Sequence, residues 1–115
     1  MTTFNIWGNN DFGVFVKGKE ISSSDGSVSS QTSGNVTFFL STSGGSAASA
    51  VNASLSATAV YVSGKGFLCF LDRTQMTATL LASHFASTTP FLIVDDNAGW
   101  RVYYEGTYAD SREGE

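Results

Sequence analysis

The first residues here that could do chemistry are Asp95, Asp96 and Asn97, three oxygen-bearing side chains in a row. Calcium takes oxygen ligands, so the run is a candidate cation site. It lacks the spaced ligands and distal Glu of the helix-loop-helix calcium loop. Followed by Ala98 and Gly99, it is also what a hairpin turn needs, because Asn and Gly tolerate positive φ. The turn reading is preferred. Zinc is disfavoured further: one His and one Cys cannot close a site within one chain. No metal and no cofactor is expected.

Nucleophilic catalysis has a single imidazole base to draw on, His84. Serines abound, yet none sits in a Gly-x-Ser-x-Gly elbow. Paired carboxylates for glycoside chemistry would have to come from Glu20, Asp72, Asp95, Asp96, Glu105 and Asp110. Most of these fall at expected turns or strand edges, where solubility explains them. An enzyme is not expected. Cys69 lies inside Phe67-Leu68-Cys69-Phe70-Leu71, where it reads as a small buried hydrophobe.

Binding through aromatic and charged surface remains. Trp7, Trp100, Tyr61, Tyr103, Tyr104 and Tyr108 would form a sugar-stacking platform if several faced solvent. From residue 100 onward the chain alternates. Trp100, Val102, Tyr104 and Tyr108 share one side; Arg101, Tyr103, Glu105 and Thr107 share the other. The aromatic side needs a core. The opposite side carries Arg101, Tyr103 and Glu105, the candidate interaction surface. Exposed Tyr and Arg are enriched at protein–protein interfaces, and an edge strand can dock another chain by strand addition.

The elements that must position these residues are strands. Phe91 to Val94 is apolar on both faces, as a central strand covered on two sides would be. With the Asp-Asn-Ala-Gly turn and the strand after it, this forms a closing hairpin. Upstream, strands are expected at 3–7, 12–17, 35–42, 51–57, 58–63 and 67–71. Within 12–17, Phe15 falls on the side opposite Phe12, Val14 and Val16. A weak hairpin across Asp25-Gly26 would pair the segments around Ile21 and Val28. The period changes at 72–85, which predicts a brief helix with Asp72 as N-cap. The small-residue segment 43–50 reads as a flexible loop. Residues 1–110 form one domain, and 111–115 a polar tail. About seven strands and one short helix predict an all-β antiparallel sandwich, with a closed barrel as the rival.

Composition narrows the partners. A net charge of −4 with scattered basic residues argues against nucleic acid, which asks for clustered Lys and Arg. It argues against an anionic membrane surface for the same reason. No apolar stretch reaches spanning length, and the N-terminus lacks a signal-peptide pattern, so synthesis and assembly in a cytoplasm are expected.

The layout resembles a known family. An opening strand Phe4-Asn5-Ile6-Trp7 is followed by a short one at 12–17. After a polar insert comes Gly-Asn-Val-Thr-Phe-Phe-Leu at 34–40, then Phe-Leu-Cys-Phe-Leu-Asp at 67–72, then a Thr/Leu-rich helix. The chain closes on an apolar strand, the Asp-Asn-Ala-Gly turn and Trp-Arg-Val-Tyr-Tyr-Glu-Gly-Thr-Tyr. This resembles the small immunoglobulin-like domains of tailed-phage virion proteins, including the N-terminal domain family of baseplate upper proteins. The unit at 91–107 is its most characteristic part. One departure is Thr88-Thr89-Pro90-Phe91, where the family has a Gly-x-Tyr entry. The resemblance implies an immunoglobulin-like sandwich and a virion structural protein. It would be a capsid decoration (cement) or tail-associated subunit, a homo-oligomer or multi-copy partner of other virion proteins. Loops 22–34 and 43–50 are then candidates for ordering on assembly. A carbohydrate-binding or adhesin-type module is the alternative.

Overall fold

The computed structural model describes residues 4–17, 19–21, 28–30, 35–45, 47–95 and 101–109. Among them are ten strands, one 3-10 turn and one α-helix. The strands are β1 (Phe4–Trp7), β2 (Phe12–Val16), β3 (Lys19–Ile21), β4 (Val28–Ser30), β5 (Thr37–Ser41), β6 (Ser56–Thr58), β7 (Val60–Val62), β8 (Gly66–Leu71), β9 (Phe91–Asp95) and β10 (Arg101–Ala109). The helix, α1, spans Ala78–Phe85.

Eight strands form two sheets that share one core. The larger has the order β1-β10-β9-β5-β6, and the smaller β2-β8-β7. All pairings are antiparallel except β1 with β10, which is parallel. The molecule is thus an all-β, immunoglobulin-like sandwich with one short helix. Among the described residues, strands β3 and β4 pair with each other alone, Ile21 opposite Val28. That is the weak hairpin expected between those two residues; the turn at 22–27 lies outside the described residues.

Alternation puts one side of each strand inward. Phe38 and Leu40 of β5, Leu92 and Val94 of β9, and Phe4 and Ile6 of β1 are buried. They meet Phe12, Val16, Phe67, Cys69 and Leu71 from the smaller sheet. Leu55, Met76, Leu81 and Phe85 extend this core between the sheets. Strand β9 is central, between β10 and β5, as its two-sided apolar run requires.

Two expected elements are corrected. Residues 51–57 do not form one strand: Ala53–Leu55 is a 3-10 turn, and only Ser56–Thr58 pairs as β6. The cause is local. Asn52 Oδ1 accepts the Ser54 N–H at 2.9 Å and the Ser54 hydroxyl at 2.7 Å, which closes a turn where alternation alone reads strand. The helix also begins later than expected. Its N-cap is Thr77, whose hydroxyl accepts the Leu80 N–H at 3.3 Å. Asp72 instead organises the preceding turn: its Oδ1 accepts the Thr74 N–H at 2.9 Å, and its own N–H donates to Gln75 Oε1. The Thr74 backbone N–H first, and then the Thr74 hydroxyl at 3.1 Å, hold the Asp72 carboxyl below its ordinary value. The turn is tied to the β1–β2 connection. Asn9 N–H donates to Met76 O at 2.7 Å, and Arg73 N–H to Asp11 Oδ1 at 2.7 Å.

Candidate functional site

Both outer sheet faces carry features beyond a simple polar surface. On the larger sheet, the cross-strand register aligns Tyr103 with Ile93 and Phe39, and Arg101 with Asp95 and Thr37. Tyr103 is 53% exposed and Glu105 is exposed, as expected for the candidate stripe. Arg101 is held instead of free. Its Nε lies 3.6 Å from Asp95 Oδ2, its Nη2 donates to Ala48 O at 3.1 Å, and its guanidinium sits 5.4 Å above the Phe39 ring. Arg101 therefore anchors the 47–50 segment to the sheet, while Tyr103 and Glu105 face solvent.

That anchoring revises the reading of 43–50 as a flexible loop. Ile93 points away from Leu92 and Val94, lies outside the main core, and is still fully buried. The described part of the loop packs on its side of the sheet. Ala48 is buried, and a Cβ built on Gly44 would sit 2.9 Å from the Phe91 ring and 3.3 Å from that of Tyr103. Small residues are there because the loop lies directly on aromatic rings.

The other expected sites separate. Asp95 is engaged with Arg101, while Asp96, Asn97 and Trp100 lie outside the described residues. Among the described residues no group of three or more His, Cys, Asp or Glu side chains could hold a metal. His84 lies in the last turn of α1, its ring 6.3 Å from Phe85. Cys69 is fully buried, and burial pushes its thiol up to about 12. Trp7, Tyr61, Tyr104 and Tyr108 are half-buried, which leaves Tyr103 as the exposed tyrosine among them. The side chain of Glu20 and all of Asp110 fall outside the described residues. No described helix is long and apolar enough to cross a membrane.

The strongest surface lies on the smaller sheet, and the Arg101–Tyr103–Glu105 stripe does not include it. In register, Phe15 pairs with Leu68 and Leu68 with Val60; Gly13 pairs with Phe70. These residues alternate with the core residues Phe12, Val16, Phe67, Cys69 and Leu71, so they line the outward face. Phe15 is 45% exposed, Phe70 46% and Val60 62%. An outward sheet face is ordinarily polar; here its middle is aromatic and aliphatic. Its ends differ in charge, one carrying two carboxylates with an arginine and the other two lysines. Asp11 and Asp72 flank the Phe12–Leu71 end, with Arg73 reaching Asp11 at 3.6 Å. Lys17 and Lys65 flank the Val16–Phe67 end, and Lys65 Nζ lies 5.5 Å over the Phe15 ring. The signal was present in the sequence: Asp11, Gly13, Phe15 and Lys17 share one parity. Phe15 there reads as a blemish in a core strand, not as part of a second face.

A cleft of about 430 Å³ opens where β2 approaches the larger sheet, lined by Phe4, Val14, Leu92 and Tyr104, with Lys17 and Lys65. Burial raises the Tyr104 hydroxyl above its ordinary value, with Cys69 adding to it. Comparison of the chain with family models, curated proteins and solved structures finds no match in any of the three.

Proposed function

We propose that this chain is a virion structural protein of a tailed phage, a capsid decoration or tail-associated subunit that works through protein–protein contacts in many copies. The observation that carries the reading is the apolar outward face of β2-β8-β7, with Phe15, Val60 and Phe70 each near half exposed or more. Exposed apolar patches rimmed by charge mark interaction sites. Two large aromatics on a three-stranded face stabilise the folded chain little and a docked partner much more. The closing unit at 91–107, where the resemblance is most characteristic, supports the virion assignment. The mechanism is mechanical: each copy buries a modest surface, and repetition over a symmetric particle multiplies it.

The test is mass spectrometry of gradient-purified particles from a phage whose genome encodes this chain. The chain should be present in a fixed ratio to a major capsid or tail protein, and that ratio should fall for Phe15→Ser. Particles that lack the chain would refute the assignment.

A further inference from the structure

We infer that the outward face of β2-β8-β7 docks a second copy of itself, two-fold related, with the Phe15 ring of each copy seated over Gly13 of the other. The inference rests on the interaction reading above and names its partner. Four observations lead to it.

The face is self-complementary in shape. Gly13 and Phe15 are neighbours on the same side of β2, one without a side chain and one with a half-exposed ring. A two-fold axis lying in the interface, perpendicular to the strands at the level of Val14, reverses β2 over its own copy. Each residue then meets its mirror about position 14, so Phe15 meets Gly13 and Gly13 meets Phe15. In β8 the same operation places Phe70 over Leu68, because Cys69 is the cross-strand partner of Val14. Large residues face small or flatter ones, as interdigitating sheets about 10 Å apart require.

The β2 edge of the face is also complementary in charge. The same axis brings Lys17 to Asp11; in β8, mirrored about Cys69, Lys65 falls opposite Arg73, so the reciprocity rests on the Lys17–Asp11 pair. Asp11, Lys17, Lys65 and Asp72 are all exposed. An isologous contact needs this reciprocity: each patch must supply what the other lacks. Parallel stacking would put like charges together.

Space over Gly13 is open enough for the knob. A Cβ built there would meet only Phe70 Cδ1 at 3.6 Å and Leu68 Cδ1 at 3.8 Å, which are ordinary contacts. The glycine is therefore not demanded by packing within the chain. The pairing supplies a reason for it.

The area sets the strength. Strands of five, six and three residues present roughly 220 Å² of flat face, well under the roughly 800 Å² per partner of a stable complex. A lone pair is thus weak and reversible, suited to a contact repeated within an assembly.

Sedimentation velocity of the full chain, from micromolar up to about 1 mM, tests the pairing. The mass should climb from monomer toward dimer with concentration. Gly13→Leu should abolish the climb while leaving the melting temperature near that of the parent chain. A merely sticky apolar face would associate more on gaining a leucine, so that outcome overturns the pairing. Lys17→Asp should also stay monomeric, because the new carboxylate would face Asp11 of the other copy. If Gly13→Leu unfolds the chain, Phe15→Ser carries the same expectation of loss. A chain monomeric throughout refutes the pairing. If Phe15→Ser then still lowers incorporation into particles, the virion reading stands without it. Pairing by a chain absent from particles refutes that reading alone.

Discussion

The ring of Phe4 lies directly on the backbone of Gly106, its cross-strand partner in the parallel β1–β10 pair. A Cβ at residue 106 would stand 2.5 Å from Phe4 Cζ, closer than real side chains approach. Gly106 is buried, and its N–H donates to Pro90 O at 2.9 Å, so the strand has little room to retreat. Gly106→Ala is expected to cost about 1–3 kcal/mol, as overpacking does in a filled core. Urea denaturation of the two proteins checks this. Phe4→Leu combined with Gly106→Ala should regain part of the loss, because it removes the atoms in the way.

The loop 43–49 behaves as part of the sheet's cover. Its removal takes away the carbonyl of Ala48 that Arg101 holds, the buried Ala48 side chain and the backbone that lies on the Phe91 ring. A deletion of 43–49 is therefore expected to lower stability by about 2 kcal/mol, since the Phe91 ring is uncovered and an Arg bond is lost. The midpoint of thermal unfolding reads this directly. Unchanged stability would return the segment to the status of a loose connection.

Cys69 has a pH signature. Its thiol is held near 12 in the folded protein against an ordinary 9.0. A raised value means the unfolded state loses its proton first. The full stability is present below about pH 9, and it declines as pH rises from there toward 12. At pH 10 the loss is on the order of 1 kcal/mol. Unfolding curves at neutral pH and at pH 10, for the parent chain and Cys69→Ala, should show a shallower decline in the variant. Iodoacetamide should fail to modify the folded chain at neutral pH and label it once unfolded.

Thr77 closes the start of α1, and the helix is short enough for one cap to matter. Thr77→Ala is expected to destabilise by about 1 kcal/mol. Thr77→Ser should recover most of it, because the hydroxyl that accepts the Leu80 N–H is restored.

Strand positions followed from residue patterns because period-two alternation is a local property. Phe38 and Leu40 against Thr37 and Phe39, or Leu92 and Val94 in an unbroken apolar run, state their own pairing surfaces. Buried Cys69 and exposed Tyr103 followed the same way. Where a polar side chain bonds its own backbone, the pattern misled: Asn52 turned a strand into a 3-10 turn, and Asp72 capped a turn ahead of the helix.

The sequence by itself determined an all-β sandwich, the faces of its strands and the exposure of Tyr103, since alternation and turn chemistry act over a few residues. Only the tertiary structure decided which outward faces are covered. Ala48 is buried and bonded by Arg101, and Gly44 lies against the rings of Phe91 and Tyr103, contacts between residues some fifty positions apart in the chain. Phe15, Val60 and Phe70 form one surface because β2, β7 and β8 meet side by side, and strand order follows from how two sheets close on a common core.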